Sequence, residues 1–375
     1  MLKGIHLTLM VGPAVPVPVP RVVLDALTAV EVTSSTDGPG GFQLTFTLSN
    51  RSPLQTIFLL AGGAMPPIIR VVLVATVNGT PEVLVDGVMT NHQITPGSNG
   101  YSSLVVTGED LTRVMDYQEL SGIPYPATTT AGRVAVILAK YMALGIIPIV
   151  IPAFLSDVES PLSYVPLHQG TDLAYIKCLA NIVGHVFYIE PGPVPLTSKA
   201  YWGPEVKTGI PQPALNINMD AHTNCESLNF QFDSQGRVQP FVTIHEPITK
   251  LPIPIPIPTD VSLLNPPLGL IPPVPKSFVQ VEGTSNLTPT KALLKGFAVA
   301  SKSTDTVKAS GTLDVSRYGR LLKSRRLVGV RGAGMAFDGL YFVRKVTHQI
   351  QRGSYKQSFE LSRNGLVSTV PRVPA

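Results

Sequence analysis

Hydrophobic and polar residues alternate in short runs along the first part of the chain. Phe42, Leu44, Phe46 and Leu48 are separated by single polar residues, a period of two that is typical of a strand with one buried face. Turn signals such as Asn78-Gly79 lie between the runs. The runs are Arg21–Ser34, Phe42–Ser49, Ile68–Asn78, Val83–Gln93 and Tyr101–Thr107. They predict a small antiparallel β-barrel or sandwich over residues 1–110.

The period changes to that of helices after residue 110. Thr130 suits the start of a first helix, and Gly145 suits its end. A second helix is predicted from Asp172 to Val183, with Gly184 as its stop signal. His185–Glu190 then has the composition of a strand. Residues 111–195 therefore predict an α/β unit.

Strand patterns return after this unit, and a proline-rich stretch interrupts them. Leu251–Pro275 contains the run PIPIPIP, which favours extended polyproline II with an unpaired backbone, a semi-rigid arm. Thr288–Ser303 predicts a helix. The strands on either side are Ala200–Phe232, Val238–His245, Val307–Leu313, Arg326–Val330, Leu340–Gln351 and Tyr355–Arg363. In the second last of these, Val343 and Val346 indicate a bulge or a strand buried on both faces.

The predicted fold class is mainly β with an α+β insertion. Two antiparallel β-barrel domains flank the α/β unit. The first barrel covers residues 1–110 and the α/β unit residues 111–195. The second barrel combines residues 196–246 with 305–368, and residues 247–304 form the proline-rich insertion with its helix.

The composition of the chain indicates that a membrane or other protein subunits must cover much of its surface. Charged residues make up 14% of the chain, against about 25% in ordinary domains, and the mean hydropathy is +0.24. Membrane insertion does not explain this, because Pro66-Pro67 and Arg70 interrupt the longest apolar run and Met142–Leu155 is too short. Pro13 and the following VPVPVP run exclude a convincing signal peptide. We therefore expect burial against other subunits.

Net charge and cysteines point to no particular ligand. The charge of +5 is too dispersed to predict nucleic-acid binding. The one basic cluster is Arg317, Arg320, Lys323, Arg325 and Arg326, which we interpret as a solvated or subunit-facing patch. Cys178 and Cys225 lie far apart in sequence and are interpreted as reduced thiols.

No arrangement of residues predicts catalysis, a cofactor or a metal. His222 and Cys225 lack further ligands nearby. Asn216-x-Asn218-x-Asp220 starts like a calcium loop but lacks its glycine and its glutamate. Glu109 and Asp110 are neighbours whose side chains should diverge, and the glycine-rich run at 329–334 does not match a phosphate loop. We expect a protein without enzymatic activity.

The C-terminal hundred residues contain an ordered series of motifs. These are Gly311-Thr-Leu-Asp314, Arg317-Tyr318-Gly319-Arg320, Val328-Gly-Val-Arg331-Gly332-Ala-Gly334, Phe337-Asp338-Gly339 and Phe359-x-Leu361-x-Arg363-Asn364-Gly365. The series resembles the late control D family of phage tail baseplate hubs, also found in extracellular contractile injection systems, and the hub part of VgrG spikes. The resemblance marks Gly311, Asp314, Arg317, Tyr318, Gly319, Arg331, Gly332, Gly334, Asp338, Gly339, Arg363, Asn364 and Gly365 as structural signature residues.

This resemblance implies a function in assembly. Family members form homotrimers whose two tube-like barrels per subunit adapt a sixfold inner tube to a threefold spike. The implied partners are the inner tube protein, a separate spike protein and other baseplate components, with no nucleic acid and no membrane. We expect synthesis in the bacterial cytoplasm without a signal peptide, followed by incorporation into a phage tail or contractile particle.

Two other classes of function remain open. The chain could be a secreted or surface β-domain protein that binds carbohydrate or a receptor, although Trp202 is its only tryptophan. It could also be a tail-associated cell-wall hydrolase. That alternative requires an acid/base pair in a separate domain, whereas the hub pattern spans most of the chain.

Overall fold

The structure is a computed structural model. It describes residues 4–13, 15–48, 53–54, 57–58, 68–97, 102–153, 165–245, 252–257, 265–284, 289–302 and 304–370. The strands of the first part are β1 (Ile5–Pro13), β2 (Val17–Pro18), β3 (Leu27–Ser35), β4 (Gly41–Leu48), β5 (Ile69–Val77), β6 (Thr80–Pro96) and β7 (Ser102–Asp110). Those of the middle part are β8 (Ile146–Val150), β9 (Val186–Pro191), β10 (Ser198–Gly203), β11 (Gln212–Asn216) and β12 (Cys225–Phe232).

The remaining strands follow in chain order. They are β13 (Val238–His245), β14 (Pro252–Pro256), β15 (Gly269–Ile271), β16 (Ser277–Gln280), β17 (Val307–Asp314), β18 (Leu327–Arg331), β19 (Gly339–Gln351), β20 (Ser354–Arg363) and β21 (Leu366–Ser368). The helices are α1 (Arg21–Ala26), α2 (Thr130–Ala139), α3 (Asp172–Val183), α4 (Pro289–Lys302) and α5 (Val315–Tyr318). The prediction of a mainly β fold with helical insertions is confirmed.

The central element of the fold is one sheet of 13 strands. Its order is β12-β17-β20-β19-β3-β4-β7-β6-β5-β1-β2, with β18 paired to β19 and β11 paired to β18. Strands from the two ends of the sequence meet where β3 pairs antiparallel with β19, from Ser35 opposite Lys345 to Ala29 opposite Gln351. We call this ladder the sheet joint. Beside it, the predicted bulge in β19 is present as a register shift between Val343 and Lys345.

The strands of the first part follow their hydrophobic pattern, with two corrections. The alternating apolar residues of β4 are all buried, as predicted. β1 was missed, because its apolar run contains no clear turn signal before the prolines. Arg21–Ser34 is not one strand: after Pro20 the chain forms α1, whose Val23 is buried while Val22 is 64% exposed, and β3 begins only at Leu27. A helical turn explains this difference, because it points neighbouring residues in different directions.

The middle part contains its own core. The prediction of α3 is confirmed at both ends: Thr171 Oγ1 accepts a hydrogen bond from Ala174 N at 3.2 Å, and Gly184 ends the helix with φ +72°. Thr129, one residue before the predicted Thr130, caps α2. Gly145 ends a following 3-10 turn instead of α2 itself. Both helices pack with the three-stranded sheet β8-β10-β9 around the buried Trp202.

The proline-rich insertion is not an unpaired arm where the structure describes it. β14 pairs with β13, with Ile253 opposite Ile244 and Ile255 opposite Val242, and β15 pairs with β21. Prolines at every second position place all the missing N–H groups of β14 along one edge, so the strand can still pair through the other. Residues 251 and 258–264 of the predicted arm lie outside the described residues. The predicted helix is α4, which packs against the end of α3.

No helix among the residues given above is long and apolar enough to cross a membrane.

Candidate assembly site

Arg363 is the centre of the largest group of signature residues. The side chain is fully buried at the end of β20. Its guanidinium donates hydrogen bonds to three backbone carbonyls: Nε to Gly365 at 2.7 Å, Nη1 to Asp338 at 2.9 Å and Nη2 to Ala336 at 2.7 Å. Its charge lies 4.5 Å from the ring centre of Tyr341. Burial lowers the pKa of Arg363, but an arginine remains protonated at any physiological pH.

Asn364 and Gly365 connect this centre to the insertion. Asn364 Oδ1 accepts hydrogen bonds from the backbone N–H groups of Leu268 and Gly269, both at 2.8 Å. A Cβ atom on Gly365 would lie 2.6 Å from the carbonyl oxygen of Ile271, so only glycine allows this approach of the two chains. Arg363, Asn364 and Gly365, which we call the side-chain joint, therefore connect the end of β20 both to the loop before β19 and to the insertion.

The loop between β18 and β19 surrounds the same guanidinium. Gly332, with φ +84°, leaves only 1.9 Å between a hypothetical Cβ and the carbonyl oxygen of Ile217. Asp338 Oδ1 accepts a hydrogen bond from Ala333 N at 2.8 Å and closes the loop. Gly334 and Gly339 also have positive φ angles. Arg331 precedes the loop, and its carbonyl accepts a hydrogen bond from Ile217 N at 3.0 Å. These residues shape a tight connection, in agreement with their position between two strands.

The other signature residues lie apart from Arg363. Asp314 caps the short helix α5 by accepting a hydrogen bond from Ser316 N at 2.8 Å. Tyr318 is buried and donates to the carbonyl of Pro213 at 2.7 Å, and burial raises the pKa of this phenol. The carbonyl of Gly319 accepts from the Asn78 side chain at 3.0 Å, which links the turn to the β5–β6 hairpin. Arg317 is exposed. The structure thus divides the signature series into an Arg363 group and an α5 group.

Gly311 has a separate packing function in β17. A Cβ atom there would lie 2.3 Å from the carbonyl oxygen of Ser227 and 2.8 Å from the ring of Phe359. The missing side chain makes room for this buried phenylalanine.

A buried ionic network was missed by sequence reasoning. Asp305 accepts hydrogen bonds from Lys207 Nζ and from Arg344 Nη2, each at 2.8 Å, and Arg344 Nη1 lies 2.9 Å from Asp37. Burial opposes ionisation of Asp305, but Lys207 and Arg344 together outweigh it and lower its pKa to about 2. No motif marks these residues, because the chain brings them together from separate elements.

Asp37, Asp305 and Arg344 of this network line a cleft of about 1110 Å³. Thr36 and Asp37 follow β3, while His185 precedes β9 and Val186 is its first residue. The opposite wall comes from β12, β17 and β20. Burial lowers the pKa of His185 to about 4, so the ring is neutral near pH 7. The cleft therefore lies where the end of β3, the start of β9 and the strands β12, β17 and β20 meet.

The predicted basic cluster is only partly a surface patch. Arg325 lies at the junction, where its guanidinium stacks 4.0 Å from the ring centre of Tyr188 and donates hydrogen bonds to Ser34 and Ser35. Lys323 forms an ion pair with Glu82 at 3.0 Å. Arg317, Arg320 and Arg326 are exposed, as the prediction required. For Arg325 the prediction was wrong, because sequence proximity to other cations says nothing about a stacking partner 137 positions away.

The other candidate ligands remain dispersed. No group of three or more His, Cys, Asp or Glu side chains that could hold a metal occurs in the described ranges. Asp110 diverges from Glu109 as predicted: it accepts hydrogen bonds from Thr112 N at 2.9 Å and Gly40 N at 2.6 Å, which starts a 3-10 turn. Cys225 is buried, which raises its pKa to about 12, whereas Cys178 is exposed.

Comparison with known proteins places this fold among tail proteins. No family model and no curated protein matches the sequence. The tail protein from Neisseria meningitidis MC58 is similar in structure, with a TM-score of 0.62 and 14% identity over 97% of this chain and 98% of that chain. The 43 kDa tail protein of prophage MuSo2 from Shewanella oneidensis gives 0.60 and 14% over 96% and 98%. A type VI secretion system component from E. coli, itself similar to the T4 tail proteins gp27 and gp5, gives 0.54 and 12% over 93% and 76%.

The class of fold follows from these likenesses. The chain shares its fold with two tail proteins, one of them from a prophage, and with a type VI secretion system component. The resemblance suggested by the C-terminal motifs is thereby confirmed at the level of the fold.

Proposed function

We propose that the chain is a structural baseplate hub of a contractile injection particle. In this proposal it forms a homotrimer that adapts a sixfold inner tube to a threefold spike. The observation that carries the proposal is the likeness of fold to two tail proteins, one of them from a prophage, over nearly the full length of both chains. Because the likeness extends over nearly all of this chain, the proposal concerns the whole chain and not one domain.

The surface of the insertion supports assembly into a larger particle. Single exposed apolar residues are normal on protein surfaces. Here, however, a short segment exposes Leu270 (61%), Val274 (76%) and Phe278 (74%), in a chain with few charges. Large apolar side chains exposed this closely along one segment favour contact with another protein. We propose that neighbouring subunits or other baseplate components cover it.

The arrangement of the strands is compatible with the symmetry of a hub. In the proposed domain division, residues 1–110 form one tube-like barrel, and residues 196–246 with 305–368 form the other. Three subunits would then present six similar barrels to a sixfold tube. The inner tube protein and a separate spike protein are the proposed neighbours, and the function requires neither a cofactor nor catalysis.

Mass in solution tests the proposal most directly. Light scattering coupled to size exclusion should give three times the 40.0 kDa of the chain, with no change on moderate dilution. Addition of the inner tube and spike proteins should shift the trimer to a larger complex. A monomer that remains a monomer with both partners present would contradict the proposal. A zymogram on peptidoglycan should show no clearing, and clearing would favour a hydrolase.

A further inference from the structure

The insertion contains a small sheet with two unlike edges. Its strand order is β14-β13-β16, so β14 and β16 lie at the edges. α4 packs against the central strand β13, where Val242, Ile257 and Val281 form a core with Ala292 and Ala300. This core gives the sheet its own support, and each edge strand carries backbone groups that point away from it.

Prolines close the edge formed by β14. Ile257, the residue after this strand, donates from its N to Pro240 O at 2.9 Å, and Ile255 lies opposite Val242. Because backbone groups alternate in direction along a strand, Pro254 and Pro256 then face away from β13. Proline has no N–H group to offer a further strand, so this edge cannot extend the sheet.

The edge formed by β16 has no such block. β16 runs parallel to β13, and Val281, the residue after it, donates from its N to Phe241 O at 3.0 Å. By the same alternation Val279 also bonds toward β13, whereas the N–H and C=O groups of Phe278 and Gln280 point away from it. In the described part of the chain, no strand pairs with this side of β16. We call these four backbone groups the open edge.

The side chains of β16 are exposed together with its backbone. All four residues of the strand are exposed, and Phe278 is 74% exposed. The Gln280 side chain donates to Thr243 Oγ1 on β13 at 3.2 Å. Exposed strand edges are usually protected by prolines, charges or bulges, and the sequence of β16, SFVQ, has neither a proline nor a charge. Unpaired backbone groups beside an exposed aromatic ring are the two features that strand addition by another chain requires.

Symmetry disfavours β16 of a second copy as the occupant of the open edge. Two identical edges pair with each other only across a twofold axis, whereas a threefold ring joins unlike surfaces of its subunits. The other edge of the same sheet, β14, cannot serve as the unlike surface because of its prolines. An extended segment of a different protein meets neither restriction.

We infer that the open edge of β16 binds an extended segment of another protein in the particle, which adds a strand to the sheet of the insertion. This inference rests on the proposed function, because the partner is a component of the particle. The segment bonds to the N–H and C=O groups of Phe278 and Gln280, so it has no proline at the positions that face them. An apolar side chain of the segment packs on the Phe278 ring, as neighbouring side chains do across paired strands.

Hydrogen exchange of the isolated protein and of the assembled particle tests the inference. In the isolated protein, the amides of Phe278 and Gln280 should exchange rapidly, and the amide of Val279 should exchange slowly because it bonds to β13. In the particle, the first two amides should become at least about tenfold slower. Rapid exchange of both in the particle would overturn the inference. Slow exchange of both in the isolated trimer would assign the edge to a second copy and would also overturn it.

A matched pair of variants separates strand addition from a cover of apolar side chains. Gln280→Pro removes the outward N–H group and keeps the bonds to β13, while Gln280→Ala is the control; both lose the contact with Thr243. Light scattering should show a trimer for both variants.

The two variants should differ in assembly. The proline variant should enter the particle about tenfold less than the natural chain, and the alanine variant should enter it normally. Equal entry of the two would overturn the inference while the proposed function stands. Should the proline variant not form the trimer, the exchange of the natural chain decides. If the natural chain forms no trimer and enters no particle, the proposed function fails and the inference falls with it.

Discussion

Two joints connect distant segments of this chain. One is made of backbone groups, and the other depends on side chains. The sheet joint is a backbone ladder between β3 and β19. The side-chain joint consists of Arg363, Asn364 and Gly365, which bind carbonyls and N–H groups of two other segments. The first joint spreads its free energy over many equivalent backbone hydrogen bonds, and the second concentrates it in three residues.

This difference explains why only the side-chain joint can be recognised from motifs in the sequence. Any residue of suitable shape can continue a backbone ladder, so the sheet joint imposes only an alternation of polar and apolar positions. A guanidinium that satisfies three carbonyls can be replaced by no other side chain, because only arginine offers its planar fork of donors. The signature motifs therefore record the side-chain joint, and substitutions should affect the two joints very unequally.

The largest effect is expected for Arg363→Met. Removing the fully buried guanidinium takes a donor away from three backbone carbonyls, of which Ala336 O keeps only Val367 N, so the free energy of unfolding should fall by about 3 kcal/mol or more. Urea unfolding measures this change. Arg363→Lys is the control: it keeps the charge but cannot reach all three carbonyls, and it should recover part of the loss. A methionine variant as stable as the natural chain would show that the joint is not concentrated in this residue.

The second largest loss in the free energy of unfolding is expected in the closely packed loop beside Arg363. Gly332→Ala combines a positive φ with a Cβ 1.9 Å from Ile217 O and should cost about 2–4 kcal/mol. Gly334→Ala has a similar φ of +89° but nothing within 4 Å of its Cβ, so it should cost only about 1 kcal/mol. Thermal unfolding of the pair separates the two causes. Equal losses would mean that backbone strain alone matters here.

Acid should weaken the sheet joint before the side-chain joint. His348 of β19 is buried next to Tyr355, and burial lowers its pKa from 6.5 to about 4. The unfolded chain takes up a proton below pH 6.5 and the folded chain does not, so stability falls as pH decreases from 6.5 to 4. Between pH 7 and pH 5 this histidine should remove about 2 kcal/mol.

Urea unfolding at the two pH values checks this expectation. His348→Gln should abolish its share of the pH dependence, while the buried His185 contributes separately with a pKa that burial also lowers to about 4. Asp305 should matter only in stronger acid, because its pKa of about 2 confines its loss to pH below 3.8. An unchanged pH profile in the glutamine variant would contradict the assignment.

Asn364→Ala should release the insertion locally. The N–H groups of Leu268 and Gly269 lose their acceptor, which should cost about 1–2 kcal/mol. Hydrogen exchange should become faster at these two amides and stay unchanged along β3. Asn364→Asp keeps an acceptor oxygen and should protect them. Faster exchange throughout the sheet would indicate that the two joints are coupled.

The smallest effect is expected in the sheet joint itself. Thr347→Val removes the hydroxyl contact with Thr33 at 3.0 Å but preserves shape and the backbone ladder. The free energy of unfolding should change by about 0.5–1 kcal/mol. Chemical denaturation with this precision is routine. A loss comparable to that of Arg363→Met would refute the contrast between the joints.

Local signals in the sequence were sufficient for individual elements. β13 runs from Val238 to His245 as predicted, and α3 has its predicted ends because a threonine cap and a glycine stop are read within a few residues. The pairing of β14 escaped prediction because a run of prolines suggests an unpaired backbone. Whether β14 can pair depends on which edge of the strand the prolines occupy. A proline-rich composition alone does not show this.

Contacts between distant segments could not be predicted in the same way. Arg325 was assigned to a surface patch from its neighbours in sequence, yet its stacking partner Tyr188 comes from the α/β unit. Asp305, Lys207 and Arg344 likewise form a network only after the parts have docked. The signature residues were identified by resemblance, while the partners of Arg363 are backbone atoms that no sequence motif specifies.

The sheet joint also has a consequence for synthesis on the ribosome. Thr33 and its partner Thr347 are 314 positions apart. At translation rates of roughly 5–20 residues per second, β3 waits on the order of 15–60 s before β19 emerges. During that time the edge of β3 that later pairs is open to other nascent chains. We therefore expect the yield of folded protein to depend on wide spacing of ribosomes along the message or on chaperones that cover unpaired strand edges. The intrinsic rate of strand pairing should matter less.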